Sequence, residues 1–276
     1  MLYEQKLRAQ PGKIIVPVKV DGATFPMIFD SGCYTPAFDL SMQSHVGRSV
    51  GKTTLNVFGG AVGTRLYQAP GMMMGAWTLA PSEAVVMDFA RFSAMLGVEV
   101  RGVLGTRCLQ QAAVDLDFDR ERLRFLRHYQ PPETAAPYLP REMSDGWQYL
   151  PVKFNEAGPI ITTKLEDVTV HLIVDTGTSA GIGLRRGTFD KLAVRGVIAR
   201  EPETEADIHQ GANGSFKIRA GRFTRGSLLG IELKDTPVED DGDVDVLGML
   251  FLLRLNSVLD LAGKRFYFER RPASSS

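Results

Sequence analysis

A chain of 276 residues with 44% apolar and 23% charged side chains is long enough for one large domain or two ordinary lobes, each burying its own core. Its 32 Lys and Arg balance its 32 Asp and Glu, and no basic cluster is interleaved with aromatics, which argues against nucleic acid as a partner. Two cysteines, Cys33 and Cys108, and four scattered histidines argue against a disulfide framework and a metal enzyme, so no metal and no cofactor are expected.

In chain order, the apolar runs 14–20 and 24–29 read as strands bounded by turn residues. Residues 56–67 read as a hairpin with a Gly-rich tip, and a helix is predicted at 106–112. A strand at 123–126 precedes a Pro-rich linker at 129–145, where four prolines within a short stretch remove backbone donors and favour extended chain. Then come a strand at 169–174, a second Gly-tipped hairpin at 208–218 and a helix at 249–254. The expected organisation is an N-terminal lobe at 12–128, the linker, and a C-terminal lobe at 146–271, each mostly β with one short helix. No run approaches the roughly 18 apolar residues of a membrane span. The first residues lack the apolar core of a signal peptide, so a cytoplasmic protein is expected, or a periplasmic or secreted one if a leader precedes this chain.

The halves repeat each other. Val16-Pro-Val-Lys-Val-Asp-Gly-Ala is similar to Leu150-Pro-Val-Lys-Phe-Asn-Glu-Ala, and Met27-Ile-Phe-Asp-Ser-Gly to Leu172-Ile-Val-Asp-Thr-Gly. Val103-Leu-Gly pairs with Val246-Leu-Gly, and the segment from Asp117 to Phe125 with that from Asp260 to Phe268. Asp30 to Gly105 spans 75 residues and Asp175 to Gly248 spans 73; Gly105 to Asp117 and Gly248 to Asp260 both span 12. Similar blocks in the same order at near-equal spacing indicate a tandem duplication.

An apolar strand running into Asp-Ser/Thr-Gly drives a carboxylate inward, while Gly lets the chain turn without a Cβ clash. One such tripeptide is an ordinary turn. Two at equivalent places in a duplicated chain predict that Asp30 and Asp175 face each other across a pseudo-twofold axis. Such a pair shares a proton, one member serving as base on water and the other protonating a carbonyl. Ser31, Gly32, Thr176, Gly177 and Thr178 are the expected supporting loop residues.

These two motifs, each followed some 75 residues later by Val-Leu-Gly and a short helix, resemble the retropepsin and pepsin superfamily. The block from Val246 to Phe268 is especially similar to bacterial retropepsin-like aspartyl proteases. The resemblance implies a mainly β fold of two retropepsin/pepsin-like acid-protease lobes standing in for the two subunits of a dimer, so that the chain is monomeric. It implies an aspartic endopeptidase acting on an extended peptide or protein substrate. The two hairpins would be flaps over that substrate, with Phe58, Gly59, Gly60 and Tyr67 in the first, and Gly211, Asn213 and Gly214 in the second. Cys33 stands where the family usually has Ser, Thr or Ala, and Thr178 fills the matching place in the second half. A thiol is a poor donor, so the carboxyl pair is expected to hold its proton to higher pH.

Other readings compete. Gly177-Thr-Ser-Ala-Gly181 fits a G-x-S-x-G nucleophile elbow, which requires a strand, a turn and a helix in sequence. Cys33 and Cys108 are catalytic, bridged, or simply small filler. Asp117 and Asp260 precede tight turns and are expected to cap them. A glycosidase would leave the duplicated loops unexplained. A catalytically inactive peptide-binding scaffold of the same fold is the remaining alternative.

Overall fold

The computed structural model describes residues 1–7, 9–10, 12–57, 60–127, 146–202, 208–211, 214–240 and 242–272, with backbone alone at 9–10, 56–57, 60, 208–211 and 214–217. The expected linker at 129–145 lies outside the described residues.

The chain is mainly β, and its first hairpin shows why. In Lys13–Val20, Val16, Val18 and Val20 alternate inward with exposed Pro17 and Lys19 outward, a period-two pattern that buries one face. The strand turns at Asp21-Gly22, both with positive φ (49° and 88°), the backbone of a two-residue turn matched to strand twist. It then pairs antiparallel with Ala23–Phe29 from Val20↔Ala23 to Ile14↔Phe29. Gly102–Leu104 lies parallel to Ala23–Phe29, with Leu104 beside Phe29, and antiparallel to Ala37–Asp39.

The second half repeats these pairings. Gly158–Leu165 pairs antiparallel with Val168–Val174, and Asp245–Leu247 lies parallel to that strand with Leu247 beside Val174. Ile182–Leu184 runs antiparallel to Asp245–Leu247, as Ala37–Asp39 does to Gly102–Leu104. One repeat block needs correction. The counterpart of Lys13–Val20 is Gly158–Leu165, the hairpin partner of the second aspartate strand, whereas Leu150-Pro-Val-Lys lies one strand earlier in Gln148–Asn155. Amphipathic strands of similar composition align by chance; hydrogen-bonded register decides which one neighbours the aspartate.

The halves join in a shared sheet. Ala112–Asp117 and Leu255–Asp260, the strands that end in the repeated aspartates, pair antiparallel with each other from Ala113↔Asp260 to Leu116↔Ser257. Arg122–Arg127 and Tyr3–Lys6 extend the sheet on one side, Arg265–Arg270 and Gln148–Asn155 on the other. Asp117 accepts from the Arg120 N–H (3.1 Å) and Asp260 from the Gly263 N–H (2.8 Å), so both buried carboxylates cap turns. Asn256 locks the junction: its side-chain oxygen accepts from the Phe118 and Asp119 N–H groups, and its amide donates to Asp119 Oδ2 at 2.6 Å. One continuous apolar core draws on both halves.

Short helices follow both Val-Leu-Gly blocks, a 3-10 turn at Thr106–Leu109 and an α-helix at Met249–Leu252. The expectation of one helix per half falls short. Ala90–Leu96 and Arg186–Val194 are also α-helical. Arg186–Val194 contains Gly187, Thr188 and Val194, weak helix formers, and is held by burial of Phe189 and Leu192. Both Gly-tipped hairpins form, with Val57 opposite Gly60 in one and Gly211 opposite Gly214 in the other. Among the described residues no helix is long and apolar enough to cross a membrane.

Candidate active site

Asp30 and Asp175 each follow the last residue of a core strand, Phe29 and Val174 respectively, both nearly fully buried. The next residues cross to the opposite half. Ser31 N–H donates to Thr176 Oγ1 (3.0 Å), and Thr176 N–H donates to Ser31 Oγ (3.0 Å). The Ser31 hydroxyl donates to the Val174 carbonyl (2.6 Å) and the Thr176 hydroxyl to the Phe29 carbonyl (3.0 Å). Ser31 and Thr176 are buried, so these four reciprocal bonds satisfy groups water does not reach and clamp two loops 145 residues apart in sequence.

The glycines complete the reciprocity. The Asp30 carboxyl packs against Gly177 and the Asp175 carboxyl against Gly32, each closer than any Cβ at those glycines would allow. The two carboxyls lie close enough for the charge of Asp175 to act directly on Asp30. Asp175 Oδ1 accepts from the Gly177 N–H (2.6 Å) and the Thr178 N–H (3.1 Å). Asp30 Oδ1, shut off from solvent, has no such partner. Burial, and then the adjacent Asp175, hold the Asp30 carboxyl well above the ordinary aspartate range.

The predicted loop residues Ser31, Gly32, Thr176, Gly177 and Thr178 therefore all lie at the carboxyl pair. Thr178 serves through its backbone N–H, while its hydroxyl accepts from Ala180 N–H at 3.3 Å. Cys33 is not a donor to Asp30; its thiol donates to the Thr35 carbonyl (3.1 Å). Burial and its twin are the leading causes of the elevation of Asp30. Both cysteines are free, and burial pushes Cys33 well up and Cys108 up to about 12, which leaves neither a reactive thiolate. Ser179 leads through Gly181 into the strand Ile182–Leu184 rather than a helix, so no nucleophile elbow forms. Met72 and Met74 are core residues. Tyr67 lies at the base of its hairpin, paired in register with Ser49 and Ala84 on the two flanking strands. Phe58, Gly59 and Asn213 lie outside the described residues, and Gly60, Gly211 and Gly214 are placed by backbone as hairpin positions. Among the described residues no group of three His, Cys, Asp or Glu is arranged to hold a metal ion.

One site residue was missed in sequence. Lys13, buried at 7% exposure, donates from Nζ to the Gly177 carbonyl in the Asp175 loop. It lies 17 residues before Asp30, as Gly158 lies 17 before Asp175, so the repeat spacing alone marks the position.

Residues 16–107 match a family model described as aspartyl protease. The match covers one third of the chain, contains Asp30-Ser-Gly and the first Val-Leu-Gly, and stops short of Asp175. It points to an aspartic-type hydrolase and supports the superfamily that the motifs resemble. No curated protein matches the chain.

The glycine contacts carry a prediction. Gly177→Ala places a methyl where the Asp30 carboxyl now sits, and displacement of a reacting group by about 1 Å costs roughly a hundredfold in rate. Steady-state kinetics on a cleaved peptide should show that loss in kcat at nearly unchanged KM, with the folded circular-dichroism spectrum retained.

Proposed function

We propose that this protein is an aspartic endopeptidase, hydrolysing peptide bonds with a water activated between Asp30 and Asp175. The observation that carries the reading is the reciprocal seating of the two carboxyls, each over the other loop's glycine, clamped by the Ser31 and Thr176 exchange. Two common tripeptides become one site through that exchange.

In this reading Asp175, with two N–H donors on Oδ1, carries the negative charge and takes a proton from water as its oxygen adds to the scissile carbonyl carbon. Asp30, which retains its proton, gives it to the carbonyl oxygen, producing a neutral tetrahedral diol. Collapse of the diol returns a proton to Asp30, and the proton on Asp175 passes to the leaving nitrogen. The charge state is then that of the start. The pair titrates as a unit, so activity is bounded by two macroscopic pKa values.

The lobes proposed are residues 12–128 and 146–271, related by a pseudo-twofold axis. Their support is the repeated strand pairing around each aspartate and the antiparallel junction of the two equivalent strands. Since one chain supplies both carboxyls, a monomer suffices. The two hairpins are proposed as flaps over an extended peptide, which would bind as an added strand.

The test is cleavage of a peptide library from pH 3 to pH 8 by the wild type, with Asp30→Asn/Asp175→Asn as the blank. Cleavage confined to the wild type is expected. Peptide binding without turnover in the wild type would favour the inactive scaffold, and equal cleavage by the blank would remove the carboxyl pair from the chemistry.

A further inference from the structure

Opposite the carboxyl pair the two halves are chemically unequal. At the repeat-equivalent positions, Gly158 packs tightly against the Ser31–Gly32 backbone, where a Cβ would meet the Ser31 carbonyl at 2.6 Å. Its counterpart Lys13 instead sends a long cationic side chain to the Gly177–Thr178 peptide. Gly12 presses on the same loop, since a Cβ there would lie 3.0 Å from Ser179 Cβ. A buried ammonium is costly without compensation, and here the compensation comes from the active-site loop itself.

The contact reaches Asp175 through a single peptide unit. The carbonyl of Gly177 accepts from Lys13, while the N–H of that same peptide, on Thr178, donates to Asp175 Oδ1. A cation on the oxygen end polarises the unit and strengthens its N–H bond to the carboxylate. The ammonium also acts through space. The ionisable groups facing it are Asp30, from the end of Ala23–Phe29, and Asp175, from the end of Val168–Val174. Cys33, in the field of both aspartates, and Cys108 beyond it are kept neutral by burial. Burial lowers the Lys13 ammonium from its usual range, and the two aspartates pull it back up.

We infer that Lys13 is a third ionisable member of this site, a positioning residue whose ammonium, seated on the Gly177 carbonyl and facing both aspartates, stabilises the single negative charge of the carboxyl pair and lowers the pH range in which the pair holds one proton. The inference deepens the peptidase reading and rests on it for its catalytic consequence, though its electrostatic content stands alone. A neutral residue at 13 removes a nearby positive charge, so both macroscopic pKa values of the pair rise. Carboxylates shift by roughly one to three pH units for a cation at such range, and the lysine's share acts here through a peptide and across a half-buried site. The expected rise is about tenfold in proton affinity, or one pH unit.

The experiment titrates the Asp30 and Asp175 carboxyl carbons by 13C NMR in the wild type, Lys13→Met, Lys13→Gln and Lys13→Arg, and records kcat/KM against pH for each. The Met and Gln variants should move both titration steps, and both limbs of the rate profile, upward by about one unit. Arg should restore the wild-type values. Gln keeps a donor for Gly177 without the charge, so a shift with Met but not with Gln would overturn the charge assignment. Superimposable titrations of wild type and Gln would do the same. A shift in the carboxyl titration of a wild type that cleaves no peptide would leave the inference standing while the peptidase reading falls.

Discussion

Asp30→Asn is expected to lower kcat/KM for peptide hydrolysis by about a thousandfold or more and, at neutral pH, to raise the melting temperature. The first effect follows from removing a positioned acid and base, a contribution of roughly 10² to 10⁴ in rate. The second follows from linkage. Burial and Asp175 hold the folded Asp30 carboxyl well above its unfolded value. Between those two values the folded protein binds more protons than the unfolded chain, so stability falls as pH rises through the folded value. The contribution is complete only below the unfolded aspartate pKa of about 3.9. Asparagine never ionises, so the variant keeps that stability at pH 7, and the two melting curves should converge near pH 3. Scanning calorimetry from pH 3 to pH 8 reads the difference. A variant no more stable than wild type at pH 7 would show that Asp30 is not held protonated by its surroundings.

The clamp between the halves is expected to dominate stability near the site. Thr176→Val leaves the Ser31 N–H without an acceptor and the Phe29 carbonyl without its hydroxyl donor. Ser31→Ala does the same to the Thr176 N–H and the Val174 carbonyl. Each orphaned buried group costs about 1–3 kcal/mol, so each variant should lose about 2–6 kcal/mol by denaturant midpoint at constant m. The double variant should cost less than the sum, because the loops part once either half of the exchange is gone. Thr176→Ser preserves the hydroxyl and should recover most of the loss. Strict additivity would mean that the two loops are held together by packing rather than by this exchange. Activity should fall with stability in this series, since separating the loops separates the carboxyls.

Legibility differed from place to place, for identifiable reasons. The aspartate strands were readable because alternation in Lys13–Val20 and apolar runs in Ala23–Phe29 and Val168–Val174 are local patterns. The capping of turns by Asp117 and Asp260 was readable too, since an Asp accepting from an N–H three residues on is a local bond. The hairpin partner of the second aspartate strand was not legible, because Leu150-Pro-Val-Lys imitates Val16-Pro-Val-Lys in composition and only register separates Gly158–Leu165 from it. The helix Arg186–Val194 was missed because its residues favour helix weakly and burial of Phe189 and Leu192 supplies the rest.

The carboxyl pair divides in the same way. By itself the sequence determined that two Asp-Ser/Thr-Gly loops end equivalent strands, since repeat spacing is a property of the chain alone. Only the tertiary structure decided which atoms meet: Asp30 over Gly177, Asp175 over Gly32, and a lysine where the other half has glycine. Those contacts join residues 143 to 164 positions apart, and burial turns them from weak polar contacts into ones that set charge. In sequence Lys13 is a lysine at a strand start, marked only by its spacing from Asp30. The fold puts it out of water and beside two aspartates, and its chemistry follows from that placement.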